Sequence, residues 1–297
     1  MLKLDKRMIQ GGIKMKIVFS DIDGTFHQMG AEIPQINLDA IDAMHQQGDR
    51  FVFVSGRSCT QIEKMQEELG KEGDIIFGNG AGFKLVGQPA QYENCLSLET
   101  CVNIMKFLDQ ENIFYHIHTS EEVYLKPVQY FTKHFKELRK TFLPMGEQGQ
   151  QIMDFKENYF TNDCVHHEDL GTFFKENPQI KLLKIEVMES DEVKTTKIVK
   201  MLANENVYAF SSFFTGLEIV NPSSNKGSAI NQYMKLFPDA TSYGIGDAEN
   251  DLPMLEVVDI AVAVDNATEI VKEACQEFTL DCLNGGVGHY IYEKIIV

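Results

Sequence analysis

Three apolar runs end directly on a polar residue able to do chemistry: KIVFS (16–20) runs into Asp21, RFVFV (50–54) into Ser55, and SYGIG (242–246) into Asp247. A fourth group, Lys226, opens a helix-like segment after the loop NPSSN (221–225). In an open parallel sheet, ligands bind beyond the carboxyl ends of the strands, so neighbouring strands would bring all four groups to one sheet edge. Asp21 and Asp23 are two residues apart, and an extended backbone points such a pair the same way. Gly24 lets the chain turn sharply just past them. One carboxylate can attack phosphorus while the other handles the leaving-group proton. Lys226 brings a point charge and Ser55 a hydroxyl donor, which suits phosphoryl transfer, a reaction governed by positioning and charge neutralisation. Asp247 and Asp251 stand four apart, and a helical turn from about residue 248 carries both toward Asp21. Mg²⁺ takes octahedral oxygen ligands, few carboxylates and retained waters, and a cluster of Asp21, Asp247 and Asp251 completed by a substrate phosphate fits it.

The elements that must hold these groups are legible around them. After the strand-like 16–20, Pro34 precedes a segment with Ile36, Leu38, Ile41 and Met44 at helical spacing. A second strand at 50–55, a helix from Cys59 to Leu69 and a third strand at 74–80 follow, the alternation of a parallel sheet covered by helices. The same alternation returns near the C-terminus: helix 226–237, strand 241–247, a short helix around Asn250 to Val257, and strand 259–264. Asn266 is placed to cap a helix over 267–276. Between these regions, from about Phe83 to Glu218, most of the aromatics and histidines gather and the periodicity is mixed. Strands at 181–189 and 207–212 flank a helix at 191–204, which reads as an α+β module inserted into the first domain. One large α/β domain with long insertions is the alternative organisation.

The chain has 297 residues, 43% hydrophobic and 24% charged, enough for two domains and a sizeable core. That composition excludes a disordered tail, a collagen-like chain and a disulfide-stapled mini-domain. Net charge is −17, so a phosphate backbone is repelled and nucleic acid is not expected as a partner. The six cysteines are scattered with no C-x-x-C pair, the pattern of reduced thiols in a cytoplasm. No apolar run approaches the roughly 18–20 residues that span a bilayer, and no membrane partner is expected. Residues 1–14 lack the apolar stretch of a signal peptide and read as an extension before a domain that begins near Met15.

Four segments taken together, DIDGT (21–25), SGR (55–57), NKG (225–227) and GDAENDLPML (246–255), resemble the four motifs of the haloacid dehalogenase superfamily. Their order, the long insert between the second and third, and the LEI before NPSSNKG are similar to the Cof-type subclass, also called IIB; the resemblance runs from Met15 to Val297. It implies a Rossmann-like parallel-sheet core, residues 15–84 and 219–297, with an inserted α/β cap of the C2B type at 85–218. It also implies Mg²⁺-dependent hydrolysis of small phosphorylated metabolites, sugar phosphates foremost, by a monomer or weak homo-oligomer. Carried over by motif, Asp21 is the nucleophile that becomes an aspartyl-phosphate, and Asp23 protonates the leaving alcohol and then activates water. Ser55, Gly56, Lys226 and Asn250 hold the phosphoryl group. Asp21, the backbone carbonyl of Asp23, Asp247 and Asp251 hold the metal. Members that cleave carbon–halogen bonds lack the second Asp of the first motif, so its presence at Asp23 favours a phosphatase. Phe26 stands where the family often has Leu, and Asp265 where a small residue is usual.

Competing readings attach to several residues. Ser55 could instead cap the helix that follows it. Arg57 could serve a salt bridge or a substrate. GNGAG (78–82) lacks the helix that a dinucleotide loop must open and reads as a hinge into the insert. Asp163, Cys164, His166, His167 and Glu168 lack zinc-like spacing and read as cap surface. Phe114, Tyr115, Phe131, Phe135, Phe173 and Phe174 read as cap core. A phosphomutase, or a regulator that binds a phosphometabolite without turnover, would use the same pocket.

Overall fold

The computed structural model describes residues 14–28, 30–213 and 216–296; of the extension read over 1–14, all but Lys14 lies outside them. The chain opens β1 (Lys16–Asp21), α1 (Gln35–Gln47), β2 (Arg50–Val54), α2 (Cys59–Leu69), β3 (Asp74–Phe77), β4 (Gly82–Lys84) and β5 (Gln91–Tyr92). Its middle runs α3 (Leu98–Gln110), β6 (Tyr115–Thr119), β7 (Val123–Leu125), α4 (Thr132–Phe142), α5 (Gly146–Asn158), β8 (Val165–His166), α6 (Leu170–Glu176), β9 (Leu182–Met188), α7 (Glu192–Leu202), β10 (Tyr208–Phe213) and β11 (Gly216–Val220). It closes with α8 (Lys226–Met234), β12 (Thr241–Gly246), α9 (Leu252–Leu255), β13 (Ile260–Val264), α10 (Glu269–Ala274), β14 (Glu277–Thr279) and α11 (Gly286–Tyr290). Two compact units result: one holds the chain up to Val54, Gln66–Ile75 and Lys226 onward, the other Ser55–Met65 and Ile76–Asn225.

The first unit is a parallel sheet in the order β14-β13-β12-β1-β2. Successive strands step outward from β1 in opposite directions, so the order reverses between β1 and β12, where an open α/β sheet leaves its ligand crevice. β1 is buried on both faces, with Ile17, Val18 and Phe19 fully covered, which is why it reads as an unbroken apolar run. Phe26, Phe51 and Phe53 pack against one another at centroid distances of 4.9–5.7 Å. The buried stripe of α1 is Asn37, Ala40, Ile41 and Met44, displaced from the expected Ile36 and Leu38. Asn37 can be buried because its amide donates to the Phe26 carbonyl at 2.7 Å and accepts the Gly288 N–H at 2.7 Å.

The second unit carries a six-stranded sheet, β10-β11-β9-β6-β7-β8, antiparallel except between β7 and β8. One face buries Tyr115, Ile117, Ile185, Val187 and Ile219 against apolar residues of α3, α6 and α7. A separate aromatic cluster joins Phe114, Phe131, Phe135 and Phe160 with Leu138 and Met188. Phe114, Tyr115, Phe131, Phe135 and Phe174 are buried as expected of cap core, and Phe173 is half-buried.

Candidate active site

In the first unit, β1 and β12 end side by side and present their terminal carboxylates together. Their register sets Ser20 against Ile245, so Asp21 ends β1 level with Gly246, one residue before Asp247. Asp21, Asp247 and Asp251 each place a carboxylate oxygen within 4.8 Å of the others. Lys226, the first residue of α8, sends its ammonium to 2.5 Å from both Asp21 Oδ1 and Asp251 Oδ1. That lysine is 1% exposed and Asp251 0%, so this ion-paired group is withdrawn from water. A cation is disfavoured at a helix N-terminus by the helix dipole, and here two carboxylates outweigh that cost. Burial alone would lower the Lys226 pKa, but Asp21 and Asp251 raise it, so the side chain stays an ammonium. Burial drives Asp21 well above the usual carboxylate range; Lys226 opposes the shift, and Asp251 and Asp247 reinforce it.

The loop after β12 is folded by Asp251 itself. Its Oδ2 accepts the backbone N–H groups of Asp247 at 3.0 Å and Ala248 at 3.1 Å. Gly246 is required beside it, because a Cβ there would lie 2.7 Å from the Asp251 Cβ. The turn after β1 closes on the same loop: the Thr25 hydroxyl donates to Asp247 Oδ1 at 2.7 Å. Gly24 adopts φ +94, and a Cβ on it would meet Asp247 Oδ2 at 2.4 Å, so only glycine allows the two turns to approach this closely. Asn266 does not cap the following helix. Thr268 stands at that N-cap, while the Asn266 amide donates to the Gly24 carbonyl at 2.7 Å and accepts the Cys282 N–H at 2.9 Å. An amide that can serve two backbone partners across loops gains more here than at a helix end.

Asp23 lies past the end of β1, partly exposed, with its carboxylate 3.8 Å from the His27 imidazole. Asn250 is exposed on the single turn between Asp247 and Asp251. Burial, reinforced by Asp251 and opposed by the Thr25 hydrogen bond, pushes Asp247 up to about 6. A carboxyl raised in the folded state favours that state when protonated, so its contribution is present at acid pH and is lost as pH rises from about 4 to about 6. In chelator, the wild type should lose stability relative to Asp247→Asn across that window, by up to about 1.4 kcal/mol per pH unit. Urea denaturation at successive pH values measures this, and a pH-independent difference would contradict it.

Ser55 and Gly56 belong to the second unit. Ser55 does not cap α2. Ser58 does, its hydroxyl accepting the Gln61 N–H while the Gln61 side chain accepts the Ser58 N–H, a reciprocal capping box. The Ser55 hydroxyl instead accepts the Arg57 N–H at 3.2 Å, and the Ser55 carbonyl accepts the Asn79 N–H at 3.0 Å. Asn79 sits at φ 53 in the GNGAG turn, and its amide donates to Glu218 Oε2 at 3.3 Å. The turn therefore braces the Ser55 loop, and no helix of a dinucleotide fold follows it.

Beyond Asn79 lies a group that reading of the sequence missed. Lys184 bonds Glu218 at 3.0 Å and stands 3.5 Å from Glu186, which lies 3.4 Å from both His116 and His118. Burial and the neighbouring Lys184 push the His118 imidazole down to about 3, so it is neutral near pH 7. The available signal was polar residues at spacing two inside apolar strands, YHIHT and LLKIEVM. His166 bonds the Phe160 carbonyl at 2.7 Å, and Glu168 bonds Tyr130 at 2.7 Å, both ordinary surface ties.

Three carboxylates against one ammonium leave two unbalanced negative charges in an all-oxygen donor set, which fits a hard divalent cation such as Mg²⁺. The family model of haloacid dehalogenase-like hydrolases matches residues 18–291. The chain is 25% identical over 285 residues to the 5-amino-6-(5-phospho-D-ribitylamino)uracil phosphatase of Bacillus subtilis, covering 93% of this chain and 97% of that one. It is 24% identical over 253 residues to the glucosyl-3-phosphoglycerate/mannosyl-3-phosphoglycerate phosphatase of Persephonella marina, covering 84% of each. A solved haloacid dehalogenase-like hydrolase from B. subtilis shares the fold with a TM-score of 0.75 at 21% identity, covering 95% of this chain and all of that one. Among the described residues, no helix is long and apolar enough to cross a membrane. The chain belongs to the haloacid dehalogenase-like hydrolases and is a phosphatase of their Cof type.

Proposed function

We propose that this phosphatase is Mg²⁺-dependent and hydrolyses small phosphorylated metabolites, sugar phosphates foremost, through an aspartyl-phosphate on Asp21. The observation that carries this reading is the buried Lys226 ammonium held between Asp21 and Asp251, with Asp247 completing the cluster. Lys226 holds Asp21 Oδ1 and thereby orients the other oxygen as the attacking atom. An Asp21 oxygen forms the bond to phosphorus as the ester P–O bond breaks, and Asp23 gives its proton to the departing oxygen. Asp23 then takes a proton from the water that attacks phosphorus. The bond between phosphorus and the Asp21 oxygen breaks, inorganic phosphate leaves, and the site returns to its starting state with Asp21 ionised and Asp23 protonated.

Asp21, Asp247 and the Asp23 carbonyl would hold Mg²⁺ directly. Both oxygens of Asp251 already accept hydrogen bonds, which suits it to fixing Lys226 and the Asp247 loop from behind. The ion, when bound, neutralises charge on the phosphoryl oxygens. Ser55, Gly56 and Asn250 would complete the phosphate contacts, and residues 85–218 would act as a cap that excludes water and selects the leaving group. The names of the B. subtilis and P. marina relatives, a phosphatase of 5-amino-6-(5-phospho-D-ribitylamino)uracil and one of glucosyl- and mannosyl-3-phosphoglycerate, support small phosphorylated metabolites as the substrate class. Six free thiols suit a cytoplasmic enzyme.

Phosphate release from a panel of sugar phosphates, with products followed by NMR, tests this function. Free phosphate in step with free sugar supports it. An isomeric sugar phosphate in place of free phosphate, or ligand binding without turnover, would overturn it. Thr25 offers a further check, since it is fully buried and its hydroxyl donates to Asp247 Oδ1. Thr25→Val should raise the Mg²⁺ concentration for half-maximal activity by about 10–100-fold while kcat at saturating Mg²⁺ stays nearly unchanged. An unaltered Mg²⁺ dependence would remove Asp247 from the ligand set.

A further inference from the structure

The sheet of the second unit has two unlike faces. Alternation along β6 sets Tyr115 and Ile117 in the aliphatic cluster and His116 and His118 on the reverse side. On β9, Glu186 is the register partner of His116, and Lys184 that of His118. We propose that His116, His118 and Glu186 form a binding site for a divalent transition-metal ion of the Zn²⁺ class, using none of the residues of the Asp21 cluster.

Three observations carry this. Glu186 Oε2 lies 3.4 Å from Nε2 of His116 and 3.4 Å from Nε2 of His118. Two donors at about 2.0–2.1 Å from a tetrahedral ion stand about 3.4 Å apart, so the spacing is that of ligands already arranged around one. Second, the imidazoles have unmet hydrogen-bonding capacity: among the described residues, His116 Nδ1 and both ring nitrogens of His118 are buried without a hydrogen-bond partner. Buried polar atoms are nearly always satisfied, and an ion held at Glu186 Oε2 would take up the unpartnered His118 Nε2. Third, the three ligands stand on paired strands of one sheet, where register rather than loop conformation fixes their spacing.

Lys184 is the group that opposes a cation here, at 3.5 Å from the same Glu186 oxygen. It is held more closely by Glu218, at 3.0 Å, so Glu186 can turn to an ion without leaving the ammonium unpaired. Glu186 and Glu218 against Lys184 leave one carboxylate in excess, which favours a dication. Two imidazoles and one carboxylate select against Mg²⁺ and Ca²⁺, which prefer oxygen-only shells. Three protein ligands also leave a coordination position open for water or a substrate oxygen, as in catalytic rather than structural zinc sites.

Titration of the metal-free protein with Co²⁺, with Mg²⁺ present in excess, tests the site through the visible absorption of nitrogen-ligated Co²⁺. The expected result is one equivalent of such Co²⁺, displaced by Zn²⁺ and retained in Asp247→Asn. It should be weakened at least about 100-fold in His118→Gln and in Glu186→Gln. His116→Gln provides the same test should either of those variants fail to fold, with circular dichroism as the check. Absence of the band in the wild type, its persistence unchanged in the folded His and Glu variants, or its loss in Asp247→Asn would each overturn the proposal.

Discussion

Asp21→Asn should lower kcat/KM for p-nitrophenyl phosphate in Mg²⁺ by at least about a thousandfold while leaving the far-ultraviolet circular dichroism unchanged. An amide has nearly the shape of the carboxylate but lacks its charge and nucleophilicity, so the P–O bond cannot form. Folding is expected to survive, because Lys226 keeps its 2.5 Å contact with Asp251 and one buried negative charge is removed from a cluster with too many. Burial and two neighbouring carboxylates already work against ionised Asp21. Retention of more than a few per cent of wild-type turnover would remove Asp21 from the role of nucleophile.

Lys226→Met should affect stability and catalysis together. It strips the partner from Asp21 and Asp251 while leaving both in the interior, and breaking a buried ion pair from one side costs about 3–5 kcal/mol. Urea denaturation of the metal-free protein should show a loss of that size. kcat/KM should fall by about a hundredfold or more, because the positive charge facing the transferring phosphoryl group is gone. Adding Asp251→Asn to Lys226→Met should recover part of the stability and none of the activity, which separates the two roles. A stable, active Lys226→Met would mean that the 2.5 Å contacts are incidental.

Much of this site could be read in the sequence because each group is announced by its own element. Asp21 and Asp247 terminate apolar strands, Lys226 follows a loop and opens a helix, and glycines mark the sharp turns. The physics is local, and only the adjacency of β1 and β12 had to be supplied by topology. Where the reading went astray, a side chain had a distant partner that pattern does not encode. Asn266 looks like a helix cap, yet it ties Gly24 to Cys282. For Ser55 the competing cap reading is the one that falls, since Ser58 has Gln61 at the right spacing to close a reciprocal pair. The buried face of His116, His118, Lys184, Glu186 and Glu218 was hidden for another reason. Alternating polar residues on a strand usually mean solvent, and nothing in the sequence says that this face is covered.

Acid-quench mass spectrometry during turnover tests the central claim most directly. The protein is mixed with excess phosphorylated substrate and Mg²⁺, stopped in acid within the steady state, and digested at low pH to preserve acyl-phosphates. The account predicts one added phosphoryl group on the peptide that contains Asp21, absent when substrate is omitted and absent in Asp21→Asn. A phosphoryl group on any other residue, or sustained turnover with no modified peptide at any quench time, would contradict it.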